Sequence, residues 1–393
     1  MATGITSKNG RISEPIELAY ASKLSKDGIL LLPKTQPFPL KEVGEENRLY
    51  QGDNLGLMLS LLEDQEVRGH IRCVYIDPPF ATQMAFVDRD LRHAYDDRLD
   101  GGVFIEFLRR RLIVIRELMA EDASIFVHLD QNMMCEIKVI MDEVFGRKNF
   151  RNLITRKKCN TKNYTKNVFG NVSDHILFYG KTGRYVWNRP YDQWTEDKLL
   201  KEYQCVDDKT GRRYKKVPIH APGVRRGATG KQWRGMMPPP GKHWQYTPEK
   251  LDAFDKVGEI YWSPTGNPRR KIFFDSRKGI PVQDIWFDFK DAHNQNIKIT
   301  GFPTEKNYDL LKRIIAATSN KGDWVMDCFC GSGTTLEAAH DLGRRFVGID
   351  NSEAAIRATV KRLKLGRKPM GDFVRLRSVP QKRSAQLELF HVG

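Results

Sequence analysis

The chain is poor in the features that would direct it to a membrane, an oxidising compartment or a metal. No apolar stretch approaches the roughly 20 residues that a membrane span needs. The opening MATGITSKNGRISEP lacks a signal peptide's hydrophobic region. The expectation is a cytoplasmic protein with no membrane partner. Six cysteines are scattered through 393 residues without disulfide-rich spacing, which fits a reduced compartment. Cys328 and Cys330 form a CxC, and no second pair completes a zinc site, so no metal is expected. Where glycines do cluster, neither the GxGxxG fingerprint nor a Walker lysine is found, which argues against a phosphate cradle. Acidic residues are outnumbered: 65 Lys and Arg face 49 Asp and Glu, for a net charge of +16. Such a basic chain most often meets a polyanion, although a solvated basic surface has the same composition. With 40% hydrophobic residues the chain can bury a core, and its length suggests two or three domain-sized units.

Two short segments carry most of the chemistry. Asp77-Pro78-Pro79-Phe80 follows the run Ile71 to Ile76, apolar but for Arg72. Asp327 to Thr335 (DCFCGSGTT) follows Trp324-Val325-Met326. Each reads as the carboxyl end of a buried parallel strand, where open α/β sheets hold ligands. The first offers a carboxylate, a proline-fixed carbonyl and an aromatic face. A nucleobase amine is a poor nucleophile because its lone pair is delocalised into the ring. A carboxylate and a carbonyl that both accept its N–H bonds would pull the nitrogen toward tetrahedral geometry, and Phe80 would stack on the base. The competing reading is a Pro-Pro strand terminator with a capping acid. The second segment offers a glycine turn through Gly331 and Gly333, followed by Asp350 at the end of the next strand, where an acid can reach ribose hydroxyls. A nucleoside ligand without pyrophosphate fits, and S-adenosylmethionine is the expectation. A turn used only for strand–helix packing is the alternative.

Along the chain, residues 1–45 read as an N-terminal extension and 46–185 as strand–helix alternation. The latter includes a helix at about Phe104 to Met119, a strand at Ile125 to Leu129 and a helix at Met134 to Phe145. The alternation is lost over 186–297, where six of the seven tryptophans lie among Arg and Lys clusters. That stretch reads as an inserted module with its own small core. Alternation returns over 298–366, and 367–393 read as a loosely held tail.

The two motifs in this order resemble those of the permuted amino-group DNA methyltransferases, which include type III modification subunits and solitary adenine methyltransferases. The likeness runs from about Arg48 to Arg367. Gly52-Asp53-Asn54 is similar to the family's cofactor-contacting turn, and Gly301 to Lys306 (GFPTEK) to its segment beside the methionine end of the cofactor. Trp233 to Met236, Pro238-Pro239, His243-Trp244 and Val282 to Trp286 resemble stretches of its target-recognition region. Cys328 stands where many members have Pro. Thr155, Arg156 and Lys157 occupy a stretch where a tryptophan is common. Glu305 and Asn307 replace the commoner Gln and Pro. His128 and Asp130 sit at a strand end on the same edge, where a structural role outweighs a functional one.

The resemblance implies a Rossmann-like α/β sheet of seven mostly parallel strands, circularly permuted and interrupted by a target-recognition module. Asp77, Pro78, Pro79 and Phe80 are the expected catalytic residues. Asp53, Thr304, Lys306, Asp327, Phe329, Gly331, Gly333, Thr334, Thr335 and Asp350 are expected to hold S-adenosylmethionine. Arg225, Arg226, Arg269 and Arg270 are expected to contact phosphates of double-stranded DNA. Adenine N6 is favoured as the target because Asp77 stands where cytosine-N4 enzymes more often have Ser. Cytosine N4, an RNA or protein amide, and a non-catalytic DNA-binding protein are the alternatives. A homodimer is expected, with the helix around Phe104 to Met119 and the patch Ile29 to Leu32 as candidate contacts, although core burial is the favoured role for most of the helix's apolar residues. A separate restriction subunit is compatible with the resemblance.

Overall fold

The structure is a computed structural model that describes residues 16–79, 101–160, 167–289, 298–299, 305–365 and 368–369. Phe80 and Thr304 lie outside the described residues. The chain divides into two compact units, Met1–Pro190 with Gln283–Gly393, and Tyr191–Val282.

The first unit is built on one sheet of eight strands: β1 (Arg48–Gln51), β2 (Ile71–Ile76), β3 (Met119–Leu129), β4 (Phe150–Lys157), β5 (Ser173–Gly180), β6 (Ile285–Trp286), β7 (Trp324–Asp327) and β8 (Arg345–Asp350). Their spatial order is β1-β8-β7-β2-β3-β5-β4-β6. Neighbours from β1 to β3 run parallel, β5 is antiparallel to both β3 and β4, and β6 runs parallel to β4. Strands β2 and β7 are apolar because helices cover both faces of a parallel sheet's centre. Every residue of β7 is buried, and every residue of β2 except Arg72, which pairs with Asp122 and Asp323.

The expected count of seven strands is corrected to eight. Strand β4 escapes a search for apolar runs because Arg151, Arg156 and Lys157 interrupt it, and β6 is a two-residue edge strand. Arg156 is tolerated inside the sheet because Asp174, its cross-strand partner on β5, neutralises it at 3.3 Å.

Six helices matter to the site: α1 (Asn54–Leu61), α2 (Gly101–Leu118), α3 (Met134–Phe145), α4 (Tyr308–Thr318), α5 (Thr334–Asp341) and α6 (Glu353–Leu365). Asn307 caps α4, its side-chain oxygen accepting from the backbone N–H of Asp309 at 2.9 Å and of Leu310 at 3.2 Å. That explains why Asn serves at a position where Pro is commoner. Helix α2 bears out the expectation that most of its apolar residues serve the core. Phe104, Leu108, Leu112, Val114, Ile115 and Leu118 are spent in the core. Ile29 is buried in the same core, and of the patch Ile29 to Leu32 Leu31 alone is strongly exposed.

The second unit contains a four-stranded antiparallel sheet (Ile260–Trp262, Pro268–Phe273, Arg213–Pro218, Cys205–Val206) and the helix Pro248–Lys256. Its own core gathers Ile219, Trp233, Trp244, Leu251 and Ile260. Trp233 stacks on Trp262 at 5.5 Å, and its indole N–H donates to Asp252 at 2.9 Å. Residues 186–190 and 283–289 group with the large sheet instead. Asn188 donates to the carbonyls of Ala316 and Ser319, both at 3.0 Å, and Ile285–Trp286 extends the sheet. No helix among the described residues is long and apolar enough to cross a membrane.

Candidate active site

Strand order brings four acids to one edge of the sheet. Asp53 follows β1, Asp350 ends β8, Asp327 ends β7 and Asp77 follows β2, and these four parallel strands are consecutive neighbours. Asp77 and Asp327, far apart in sequence, thus close adjacent strands.

Asp77 is held asymmetrically. Its Oδ2 pairs with the Lys306 ammonium at 2.9 Å. Its Oδ1 is buried and has no hydrogen-bond partner among the described residues. A buried acceptor left unpaired costs about 1–3 kcal/mol, so this atom is the signature of a group kept for an incoming donor. Pro78 is buried and Pro79 half-buried, which fixes the chain leaving β2.

The glycine turn sits beside it. Gly331 has φ +51° and Gly333 φ +76°, backbone that side chains rarely adopt. A Cβ at Gly333 would lie 2.7 Å from the Thr359 side chain, so packing demands that glycine. A Cβ at Gly331 would meet nothing within 4 Å and would enter open space. The Gly331 N–H donates to Asp350 Oδ2 at 2.8 Å, and Ser352 N–H to Asp350 Oδ1 at 2.9 Å. Each oxygen of that half-buried carboxylate keeps a further lone pair for a ligand hydroxyl.

Asp327 is buried and anchors the turn, accepting from Phe329 N–H at 3.0 Å and Thr335 O–H at 2.6 Å. Burial, reinforced by the charges of Asp77 and Asp350 and opposed by those two hydrogen bonds, pushes its pKa up to about 7. Thr334 and Thr335 are buried in the first turn of α5, and the half-buried Phe329 ring lies 6.1 Å from that of Phe107. Asp53 caps α1, accepting from Gly56 N–H at 2.9 Å, and pairs with Arg111 at 2.9 Å. Asn54 ties this turn to the other by donating to the Cys328 carbonyl at 2.7 Å.

A second polar group lies under the edge, and of its members only His128 stands out in the sequence. His128 is fully buried. Tyr75 O–H donates to its Nδ1 at 2.7 Å, and its Nε2–H faces Asp174 at 3.3 Å. Burial, helped by the charge of Lys306, lowers His128 to about 4, so the imidazole is neutral at physiological pH. Burial alone would raise Asp174, but the His128 hydrogen bond, Lys158 and Arg156 hold it well below the usual carboxylate range. Asp130 stands apart and bonds Asn132. Cys328 and Cys330 are buried thiols, and no cluster of three or more potential metal ligands occurs among the described residues.

The expected phosphate contacts all fall in the second unit. Arg225, Arg226 and Arg269 are exposed. Arg270 is committed internally: it donates to Tyr246 at 2.8 Å, pairs with Glu259 at 3.2 Å and lies 3.8 Å over the Phe254 ring. Strand alternation explains the split, since adjacent residues on Pro268–Phe273 face opposite ways. Asn54, Arg111, Thr359 and Arg362 also serve the site. Asn54 belongs to the Gly52-Asp53-Asn54 turn noted in the sequence; Arg111, Thr359 and Arg362 lie in helices among other polar or basic residues, and only their partners in the fold set them apart.

The site thus sets a carboxylate, with one acceptor unpaired among the described residues, beside a glycine turn on one edge of a mostly parallel α/β sheet. The N6_N4_Mtase family model, described as DNA methylase, matches residues 71–361. Type II methyltransferase M.EcaI of Enterobacter cloacae is 48% identical over 357 residues, covering 91% of this chain and 75% of that protein. The StyLTI Mod subunit, of a type III restriction-modification enzyme of Salmonella typhimurium, is 24% identical over 82% of this chain. This chain spans about half (54%) of that relative's length. Type II methyltransferase M.KpnI of Klebsiella pneumoniae is 26% identical, covering 74% of this chain and 76% of that protein. The chain belongs to the N6/N4 DNA methylase family.

Proposed function

We propose that the chain methylates the N6 amine of a flipped adenine at specific sites in duplex DNA, with S-adenosylmethionine as donor. The observation that carries this reading is the Asp77 carboxylate, with one oxygen gripped by Lys306 and the other buried and without a partner among the described residues. The donor supplies a methyl group on a sulfonium, which needs a nucleophile but no metal. Asp77 Oδ1 and the Pro78 carbonyl accept the two N–H bonds of the target amine and aim its lone pair. One amine proton is then lost to solvent, so Asp77 need not be a strong base. Holding the reactants in line accounts for most of the acceleration.

The residues fit this cofactor. The open space above Gly331 is a cradle that a side chain would fill. Asp350 retains lone pairs for ribose hydroxyls. The turn offers no lysine for a phosphate. A cationic ligand near Asp327 favours its ionised form. Because Asp327 titrates near 7, affinity should fall as pH drops below about 7, by at most tenfold per unit, with a proton released on binding. Calorimetry in buffers of different ionisation enthalpy measures that proton. A flat affinity between about pH 6 and 8 would remove Asp327 from the cofactor's surroundings.

Adenine is preferred over cytosine on a family tendency, since Asp77 stands where cytosine-N4 enzymes more often have Ser; the acceptors themselves do not discriminate, because both amines need the same ones. The test is to methylate unmodified plasmid with labelled donor and analyse the nucleosides by mass spectrometry. N6-methyladenine is expected. N4-methylcytosine would assign the other target, and a folded, cofactor-binding protein that transfers nothing would be a DNA-binding relative. Homodimer formation rests on the resemblance alone, and light scattering with and without DNA decides it.

Arg225, Arg226 and Arg269 are our phosphate contacts, and Arg270 a packing residue of the second unit. The double change Arg225→Ala with Arg226→Ala should weaken binding to all sequences alike. It should also flatten the logarithmic salt dependence by about 0.9 for each phosphate no longer neutralised. Arg270→Ala should lower the melting temperature and leave that slope alone. An unchanged slope in the Arg225/Arg226 double variant would move the DNA face elsewhere.

A further inference from the structure

Arg362 is fully buried, and no part of the chemistry above uses it. Its guanidinium joins three segments. The Nε–H donates to the Ser332 carbonyl at 2.6 Å, inside the glycine turn, and one terminal nitrogen reaches Ser332 Oγ at 3.1 Å. The other terminal nitrogen pairs with Glu337 of α5 at 2.9 Å. The first also pairs with Glu305 at 2.7 Å. One turn earlier on α6, Thr359 donates to the Gly331 carbonyl at 3.0 Å. Glu305 is itself buried, and the next residue is Lys306, which grips Asp77.

A buried ionic cluster of this kind is seldom worth more to stability than apolar residues of the same volume. It does impose a geometry, because a planar guanidinium with bonds on several nitrogens accepts one arrangement of its partners. The partners here are the cofactor turn on one side and the segment that orients the catalytic carboxylate on the other.

We propose that Arg362 and Glu305 are positioning residues: they lock the glycine turn to the Glu305–Lys306 segment, and through Lys306 they set which oxygen of Asp77 is presented to the target amine. This rests on the methyltransferase reading given above. Glu305 is the second carboxylate on Arg362, beside Glu337, and ties the guanidinium to its segment by charge where an amide would only bond it.

The test compares Glu305→Gln, Lys306→Met and the double variant with the wild type. Glu305→Gln preserves shape and one hydrogen bond to Arg362, so the fold should survive with little change in melting temperature. Its single-turnover methyl transfer should fall by roughly tenfold to a hundredfold, the effect of misplacing a reacting group by about 1 Å. Its cofactor affinity by calorimetry should stay within about threefold of wild type, because the turn keeps its own bonds. Lys306→Met should add little in the Glu305→Gln background, as both act through Asp77. A crystal structure of Glu305→Gln should show the Lys306–Asp77 contact opened from 2.9 Å. A full transfer rate, strictly multiplicative losses, or an unchanged Lys306–Asp77 contact would each overturn the proposal. If the wild type transfers no methyl group to DNA, the functional reading fails, and the crystallographic comparison still decides whether Glu305 sets Lys306.

Discussion

Asp77→Ala lowers turnover on the order of a hundredfold or more, with cofactor affinity near that of the wild type. The expected size is that of removing one preorganised interaction with the reacting group. Removing the carboxylate takes away the buried Oδ1 acceptor and the Asp77 partner of Lys306. The sheet should not suffer, because β2 ends at Ile76 and Asp77 lies beyond its ladder. The change costs the fold the Lys306 ion pair and no hydrogen bond at Oδ1, which has no partner among the described residues. Asp77→Asn is the informative companion. It keeps an acceptor of the same shape but loses the charge, so it should fall between the wild type and Asp77→Ala. Measuring kcat and cofactor Kd on both variants checks the assignment. Near-normal turnover in a folded Asp77→Ala protein would remove Asp77 from the chemistry.

Gly331→Val should cut cofactor affinity by roughly tenfold to a hundredfold, the equivalent of about 1–3 kcal/mol of overpacking. Two properties of this residue combine. Its φ of +51° makes any side chain strained, and the direction a Cβ would take is empty. The added atoms therefore collide with a ligand rather than with the protein. Gly333→Ala is the contrast, because its Cβ would strike Thr359 at 2.7 Å, and it should lower the melting temperature first. Titration calorimetry with thermal unfolding separates the two. Equal cofactor affinity in Gly331→Val and the wild type would put the ligand elsewhere. Asp350→Ala gives a mixed result, since that carboxylate also holds the Gly331 and Ser352 N–H groups, and part of its loss would come from a loosened turn.

Much of this site can be read directly from residues. Buried parallel strands advertise themselves as apolar runs, which is why β2, β7 and β8 and their terminal acids are legible. Helix α3 and strand β8 fall where periodicity puts them. The glycine turn is legible because few other residues tolerate its backbone. Strand β4 is illegible for the opposite reason: its buried Arg156 looks like a surface residue until Asp174 is seen opposite it. Arg269 and Arg270 are indistinguishable as neighbouring basic residues, and only the aromatic and acidic neighbours of Arg270 separate them. Helix α2 reads as a basic amphipathic helix, and its apolar face lies in the core as that pattern suggests.

The sequence by itself determined the chemistry on offer: an acid before two prolines, a glycine turn between strand and helix, a basic balance and a change of texture near residue 186. These are local properties, carried by backbone preference and by the period of apolar residues. What only the tertiary structure decided is which of these parts meet. Strand order made β2 and β7 neighbours, so that Asp77 and Asp327 share an edge. Folding also spent one oxygen of Asp77 on Lys306, left the other without a partner among the described residues, and assigned Arg362 to three segments at once. Such pairings depend on distances across the fold, between residues whose separation along the chain carries no trace of them.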